Sequence, residues 1–361
     1  MEIEGTAADL AKLAEVDARV RMTGATLSEL GPLLRSSLPA SKAFAIDAHV
    51  HKAGGRSALS QLRLRIGQTD IEGELVYLQP RSEDARPFLQ AELRSDAADL
   101  GDIASHHGFD ASRLKRLDAQ LSLKVARLKA AAIGSVQGVG LSALLKDGVL
   151  TVDPMHFGIA SGQVSGGIKL DANRVPSSAE IKLDLNGLRL DRLLPQMPEA
   201  QRIGGLLHGH AVLHATGDSV AALRSSLAGS VTLGLNQATI ASRLEARLAL
   251  NAGAMFRTLL GANEQMPVQC ASLLLDFHRG VGTARRLSLE TERMQLIGGG
   301  TVDLPGESLD LLITPHPKQF ALLALHDSIQ VKGPFHAAKI TLVKPVAFPR
   351  QQGCGDSAPR Q

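Results

Sequence analysis

The chain has 361 residues, 39 basic and 36 acidic, with 35 glycines, nine phenylalanines, one tyrosine (Tyr77) and no tryptophan. The charges are interspersed and nearly balanced, which argues against a basic nucleic-acid stripe, and there are no aromatic platforms for stacking bases. Aromatics are also too few for the core and pocket of a compact enzyme of this size, so Leu, Ala, Val and Ile must carry the hydrophobicity.

Met1 to Thr6 already reads as a strand. It starts acidic and lacks the basic n-region of a signal peptide. No apolar run approaches the ~20 residues of a membrane span. The chain as written is therefore expected to be soluble, and its abrupt start suggests a piece of a longer protein. Ala14 to Met22 alternates, with Val16, Ala18, Val20 and Met22 on one side. A turn at Thr23-Gly24 precedes Leu27, Leu30, Leu33 and Leu34 at helical spacing, with Thr26 or Ser28 as caps. Phe44 to Val50 and Leu59 to Ile66 read as a hairpin. Ile66 to Leu75, a Pro-containing loop, and Leu89-Ala91-Leu93 follow, ending in a short turn near His106-His107. Leu117 to Lys129 is a further strand, with Leu121, Leu123 and Val125 on one face.

The clearest unit runs from Lys146 to Met197. A turn at Asp147-Gly148 opens a strand, Val149 to Val152, which a polar break at Asp153-Pro154 ends. Gln163 to Asp171 puts Val164, Ile168 and Leu170 on one face. Glu180 to Asn186 does the same with Ile181, Leu183 and Leu185. Leu188 to Leu194 forms an amphipathic helical turn. Strict alternation places all these apolar side chains on one face of each strand. Ile66 to His107 is a second copy of this unit, and Gly205 to Leu227 a partial third, with a helical Ser219 to Leu227. Ser230 to Asn236 is a strand, and Ile240 to Leu260 has the best helical periodicity in the chain. Strands follow at Val268 to His278, Ala284 to Glu290, Met294 to Leu304 and Ser308 to Thr314. A helical Gln319 to His326 comes after Pro315-His316-Pro317-Lys318, and Ser328 to Lys332 and Ala338 to Val343 close the sheet. Gln351 to Gln361 reads as a disordered tail. Repeats of this kind cannot bury their apolar faces singly and must stack or curl together. The expected fold is mostly β with a few short helices: an elongated, curved antiparallel sheet built from repeats and forming an apolar groove.

Little points to catalysis. His208, His210 and His214 alternate on a strand, where neighbours at i and i+2 share a face, but no Asp, Glu or Cys nearby in sequence completes a metal set. No G-x-S-x-G elbow and no dinucleotide fingerprint is present. Gly138-Val139-Gly140 lacks its third glycine, and no helix follows Gly298-Gly299-Gly300. Two cysteines, Cys270 and Cys354, are too few for a disulfide scaffold and fit no zinc motif; a single long-range bridge and two unrelated thiols are both compatible with the sequence. We therefore expect no catalytic residues, no metal and no cofactor. The apolar face itself remains. Its candidate lining residues are Ile168, Leu170, Ile181, Leu183, Leu185, Val231, Leu233, Leu235, Leu309, Leu311 and Ile313. Such a face suits acyl chains, which need apolar contact along their length and few hydrogen bonds. It would otherwise be a dry core.

From about Arg113 to Val343 the chain resembles the C-terminal region of the AsmA family of bacterial envelope proteins. The resemblance is carried by Leu117-Asp118-Ala119-Gln120-Leu121, Lys146 to Pro154, Gly187 to Leu194, Gly298 to Leu304 with Leu309-Asp310-Leu311, Pro315 to Lys318, and Val331-Lys332-Gly333-Pro334-Phe335. Residues before Arg113 are similar to the repeats that precede this region in the family. The resemblance implies a non-enzymatic protein at the periplasmic face of the inner membrane of a Gram-negative bacterium. It implies an apolar β-groove, related to those of TamB and YhdP, that binds or transfers phospholipid in support of outer-membrane biogenesis. The implied partners are phospholipid acyl chains and other envelope proteins, with no nucleic acid. The family's N-terminal membrane anchor has no counterpart in this sequence. A periplasmic setting would favour pairing of Cys270 with Cys354. The alternative is an assembly or scaffolding protein that contacts other envelope proteins at an exposed sheet edge. The expected divisions are an N-terminal β-repeat region at 1–112, an AsmA-like β-rich region at 113–350, and a tail at 351–361.

Overall fold

The computed structural model describes residues 2–9, 14–31, 38–80, 82, 85–103, 111–130, 134–193, 203–241, 265–292, 294–318, 327–335 and 337–348. Among the described residues nineteen strands pair into sheet, nearly all of them antiparallel. The chain divides into two compact units. Most of the expected helix at Ile240 to Leu260, the helix at Gln319 to His326, His106-His107, Cys354 and the tail lie outside the described residues.

The first unit comprises Met1–Gly158, Ser165–Ala179 and Gly217–Val220. Its strands are β1 (Glu2–Asp9), β2 (Ala14–Gly24), β3 (Phe44–Ala53), β4 (Arg56–Ile66), β5 (Thr69–Leu78), β6 (Phe88–Asp99), β7 (Asp118–Ala130), β8 (Gly134–Lys146), most of β9 (Val149–Ile159) and most of β10 (Gly162–Asp171). β2 shows why the pattern folds this way. Ala18 is buried and Val16, Val20 and Met22 are half-buried, while Asp17, Arg19, Arg21 and Thr23 are exposed. A two-residue period leaves one apolar and one charged face.

In this unit two features depart from the sequence reading. β6 and β7 pair in parallel, Phe88 opposite Asp118 and Asp99 opposite Lys129. A parallel pair needs a long crossover, and the chain from Leu100 to the start of β7 supplies it, with 3₁₀ turns at Leu100–Asp102 and Ala111–Lys115. Asp153-Pro154 does not end a strand. It lies inside β9, where Ala143 pairs with Val152 and Leu141 with Met155. This bulge sets Asp153 and Pro154 against Ser142 alone, so the proline's missing N–H costs no ladder bond to β8.

The second unit comprises Ile159–Val164, Glu180–Thr216 and Ala221–Gln361. It holds nearly all of β11 (Ser178–Arg189), then β12 (Ile203–Thr216), β13 (Ala228–Ala241), β14 (Gln265–His278), β15 (Val281–Thr291), β16 (Met294–Asp303), β17 (Ser308–Pro317), β18 (Ser328–Pro334) and β19 (Lys339–Val343). Short helices stand at Leu190–Leu193 and Val220–Ser226. Here β13 runs through Ala241, so the first residues expected to be helical are strand. β17 likewise continues through Pro315 and Pro317, which pair with Leu296 and Met294 of β16. Pairing with β18 ends at Ile313, so the prolines interrupt no ladder on that side. Gly298-Gly299-Gly300 lies within β16. Gly300 has φ +136°, and a Cβ there would stand 2.1 Å from the Asp310 carbonyl oxygen, so only glycine fits.

Buried clusters of larger side chains sit at particular strand ends. In the first unit Leu30, Phe44 and Ile66 pack with Met22, Leu27, Ile46, Leu64 and Ile103. In the second, Leu235, Ala238 and Val268 pack with Leu190, Leu207, Ala271 and Leu289. In both cases a helical turn covers one end of the apolar face.

Candidate functional site

Residues directly opposite each other in neighbouring strands share a face, so the registers show which side chains form rows. In the first unit one row crosses from β2 to β9: Ala18, Val50, Leu59, Leu75, Ala91, Leu121, Ala143 and Val152. In the second unit a row crosses from β12 to β19: Gly209, Leu233, Leu273, Leu287, Gly298, Ile313, Ile329 and Leu342. At about 4.8 Å per strand each row is about 34 Å long. That exceeds the ~15 Å depth of one bilayer leaflet's hydrocarbon.

The larger side chains of both rows are half-buried, and Leu342 is 37% exposed. Leu and Ile in a closed core would be nearly inaccessible. Here they keep a surface for further apolar contact, while Ala18 and Ala91 are buried.

The sequence-derived lining residues fall in several places. Leu233 and Ile313 lie in the second unit's row. Val231 lies between Ala211 and Leu275, and Leu235 between Leu207 and Ala271. Leu309 stands between Val302 and Gly333, and Leu311 between Gly300 and Val331. Ile168 and Leu170 are on β10, and Ile181, Leu183 and Leu185 on β11. Leu170 and Leu235 are buried, and the other nine are half-buried. The sequence reading missed Leu273, Leu287, Ile329 and Leu342. In Leu273-Leu274-Leu275 consecutive leucines hide the alternation. Leu274 lies on the opposite face, between Thr232 and Arg286.

The other face of the first unit is charged. One row there reads Glu2, Arg21, Asp47, Arg63, Glu72, Arg94 and Lys124. Signs alternate until Arg94 and Lys124, and opposite charges directly across strands favour this register. Asp47 accepts from Arg19 Nε and Nη2, both at 2.8 Å, and from Arg21 Nε at 3.4 Å. A depression of about 740 Å³ opens on this face, with Arg19, Arg63, Glu74, Glu92, Arg94 and Lys124 among its lining residues. The Arg19 guanidinium holds the Asp47 carboxyl down at about 2. Arg19→Gln should therefore raise the Asp47 pKa by about one unit. A carboxyl-carbon NMR titration would read this, and an unmoved Asp47 would refute the assignment of Arg19 as the main partner.

His210 Nδ1 stands 2.7 Å from Asp184 Oδ1, and no group of three or more His, Cys, Asp or Glu among the described residues could hold a metal ion. His49 and His51 flank the Asp17 carboxylate at 2.6 and 3.2 Å. Their hydrogen bonds, that of His49 foremost, lower the Asp17 pKa. Among the described residues no helix is long and apolar enough to cross a membrane.

Comparison with known proteins bears out the resemblance. The model of the AsmA family matches residues 110–287. AsmA family protein YhjG of Escherichia coli (strain K12) is 26% identical over 370 residues, covering 92% of this chain and 54% of that protein. The chain thus spans about half the length of this curated relative. No solved structure matches.

Proposed function

We propose, on the premise of this AsmA-family resemblance, that the chain is a non-enzymatic component of the bacterial envelope whose apolar β-face holds or transfers phospholipid acyl chains. The observation that supports this best is the pair of cross-strand rows, which present half-exposed Leu, Ile and Val along about 34 Å in each unit. An acyl chain laid across the strands would meet aliphatic side chains at most steps, with glycine at Gly209 and Gly298. At about 25 cal/mol per Å² of apolar area removed from water, such contact accumulates along the chain without a point site. In this reading the chain works at the periplasmic side of the inner membrane in a Gram-negative cell, in support of outer-membrane biogenesis, and the resemblance to a bacterial envelope family supports an envelope setting.

Native mass spectrometry of the purified chain, followed by lipid extraction, tests the proposal. Co-purifying phospholipid at near-stoichiometric amounts is the expected result. A stably folded chain that is lipid-free, and stays so after incubation with phospholipid vesicles, would show that the face is an ordinary core. The scaffolding alternative would then take precedence.

A further inference from the structure

The row at one margin of the first unit's apolar face changes character at β3, β4 and β5. Lys52 stands opposite Ser57, and Ser57 opposite Tyr77. From β6 to β9 the same row continues as Leu89, Ala119, Leu145 and Leu150. A place at the margin therefore does not by itself call for polar side chains. Residues two apart on a strand share a face. Lys52, Ser57 and Tyr77 thus adjoin Val50, Leu59 and Leu75 of the apolar row, which lies about 7 Å further in.

All three polar side chains are open to a ligand. Lys52 and Ser57 are half-buried, and Tyr77, the chain's one tyrosine, is 37% exposed. Among the described residues, the Lys52 ammonium and the Ser57 and Tyr77 hydroxyls have no hydrogen-bond or ion-pair partner. The backbone that carries them is fixed. β3 and β4 join through Gly54-Gly55, and the Gln79 amide donates to the Gly55 carbonyl at 2.9 Å, tying the end of β5 to that turn. The hairpin from Lys52 to Ser57 holds two cations, Lys52 and Arg56, and no acid. At the other ends of β3 and β4, Phe44 and Ile66 are buried against Leu30. Of the two margins, only the hairpin side suits the charged end of an amphiphile lying on this face.

We infer that Lys52, Ser57 and Tyr77 form a phosphate anchor, which holds the phosphodiester of an anionic phospholipid at this margin while its acyl chains lie on the adjoining apolar row. The inference rests on the acyl-chain reading of the face and adds to it the headgroup and the side on which it sits. The ammonium gives a charge-assisted bond to a phosphate oxygen, and each hydroxyl donates one further bond. Directly opposite residues have Cβ atoms about 5 Å apart, so the long Lys52 and Tyr77 side chains converge over Ser57 between them.

The test incubates the full chain with phosphatidylglycerol vesicles doped with diacylglycerol of the same acyl chains, then extracts and quantifies the bound lipid. The two lipids share their tails, and only one carries a phosphate. Wild type should enrich phosphatidylglycerol over the vesicle ratio by about tenfold. Lys52→Gln should erase most of that enrichment and leave diacylglycerol uptake intact. Lys52→Arg should keep it, and Tyr77→Phe should lower it by about threefold. Excess glycerol 3-phosphate should displace no lipid; displacement would mark a site for soluble phosphate and overturn the assignment. Equal enrichment in wild type and Lys52→Gln, or uptake of both lipids without enrichment, would overturn the anchor and leave the acyl-chain reading standing. A wild type that takes up neither lipid would overturn that reading and the anchor with it.

Discussion

Leu233→Asp is expected to lower the phospholipid-to-protein ratio at least tenfold while leaving the second unit folded. Leu233 stands between Gly209 and Leu273 in the middle of the apolar row, and it is half-buried. A carboxylate there would have to shed water as an acyl chain passes, or force the chain away from its neighbours. Losing contact with two methylenes costs about 1.6 kcal/mol, already more than a tenfold change in affinity. The fold should lose less than a core position would. The site retains access to water, so the cost should be about 1–2 kcal/mol rather than the 4–5 that marks a charge trapped in a dry interior. Leu274→Asp is the matched control, with the same strand and the same chemical change. Its side chain lies on the other face beside Arg286, so lipid should be retained. Equal lipid in both variants would sink the groove reading. So would outright unfolding of Leu233→Asp, which would identify the row as closed core. Urea titration of each variant separates these outcomes.

The face-selectivity of that experiment depends on register, and register is where the sequence was most and least legible. Single strands were readable wherever alternation was strict. Val16 to Met22, Val164 to Leu170 and Ile181 to Leu185 needed only their own period. Pairing partners were not readable, because register is decided by bulges and turns beyond one strand. Three examples show the cause. Asp153-Pro154 resembles a stop until a bulge opposite Ser142 absorbs it. Pro315 and Pro317 resemble a loop until β18 is seen to end its pairing at Ile313. The parallel step from β6 to β7 has no local signal, since a strand carries the same alternation in either direction. The candidate site was legible in kind, as an apolar face. Its extent was not, because Leu273, Ile329 and Leu342 join Leu233 and Ile313 only through pairings across strands. The charged row of the first unit was hidden for the same reason: Arg21, Asp47, Arg63, Glu72 and Arg94 lie far apart in sequence and become neighbours only in register.

An apolar face of half-buried side chains contributes less to stability than a closed core. Much of the first unit's rigidity must therefore come from its cap, and the cap depends on one carboxylate. Asp102 is 1% exposed. Its Oδ2 accepts from the Gln68 and Thr69 amides, each at 2.9 Å, and from Thr69 Oγ1 at 2.8 Å. Its Oδ1 pairs with Lys42 Nζ at 2.8 Å. These bonds tie the crossover after β6 to the β4–β5 turn and to the chain entering β3, beside the Leu30, Phe44 and Ile66 cluster. Asp102→Ala leaves two amides, a hydroxyl and an ammonium without their acceptor. It should destabilise the first unit by about 2–4 kcal/mol, as expected when the buried acceptor of several hydrogen bonds is removed, the exposed Lys42 ammonium being free to turn to water. Asp102→Asn keeps an acceptor for the amides and should cost about half as much. Burial pushes the Asp102 pKa up, but the hydrogen bonds from Lys42 and Thr69 outweigh it and the value is lowered. A carboxyl whose folded value lies below its unfolded value of about 3.9 stabilises above that pH. That stability is lost as the pH falls through the folded value. Wild type should therefore lose stability below about pH 4 by more than either variant, and the three should converge in acid. Urea unfolding from pH 7 down to pH 2.5, with amide exchange read at Gln68 and Thr69, measures both effects. Variants within 0.5 kcal/mol of wild type at pH 7, or parallel acid profiles, would show that the cap is held by its apolar cluster and that the Asp102 network adds little.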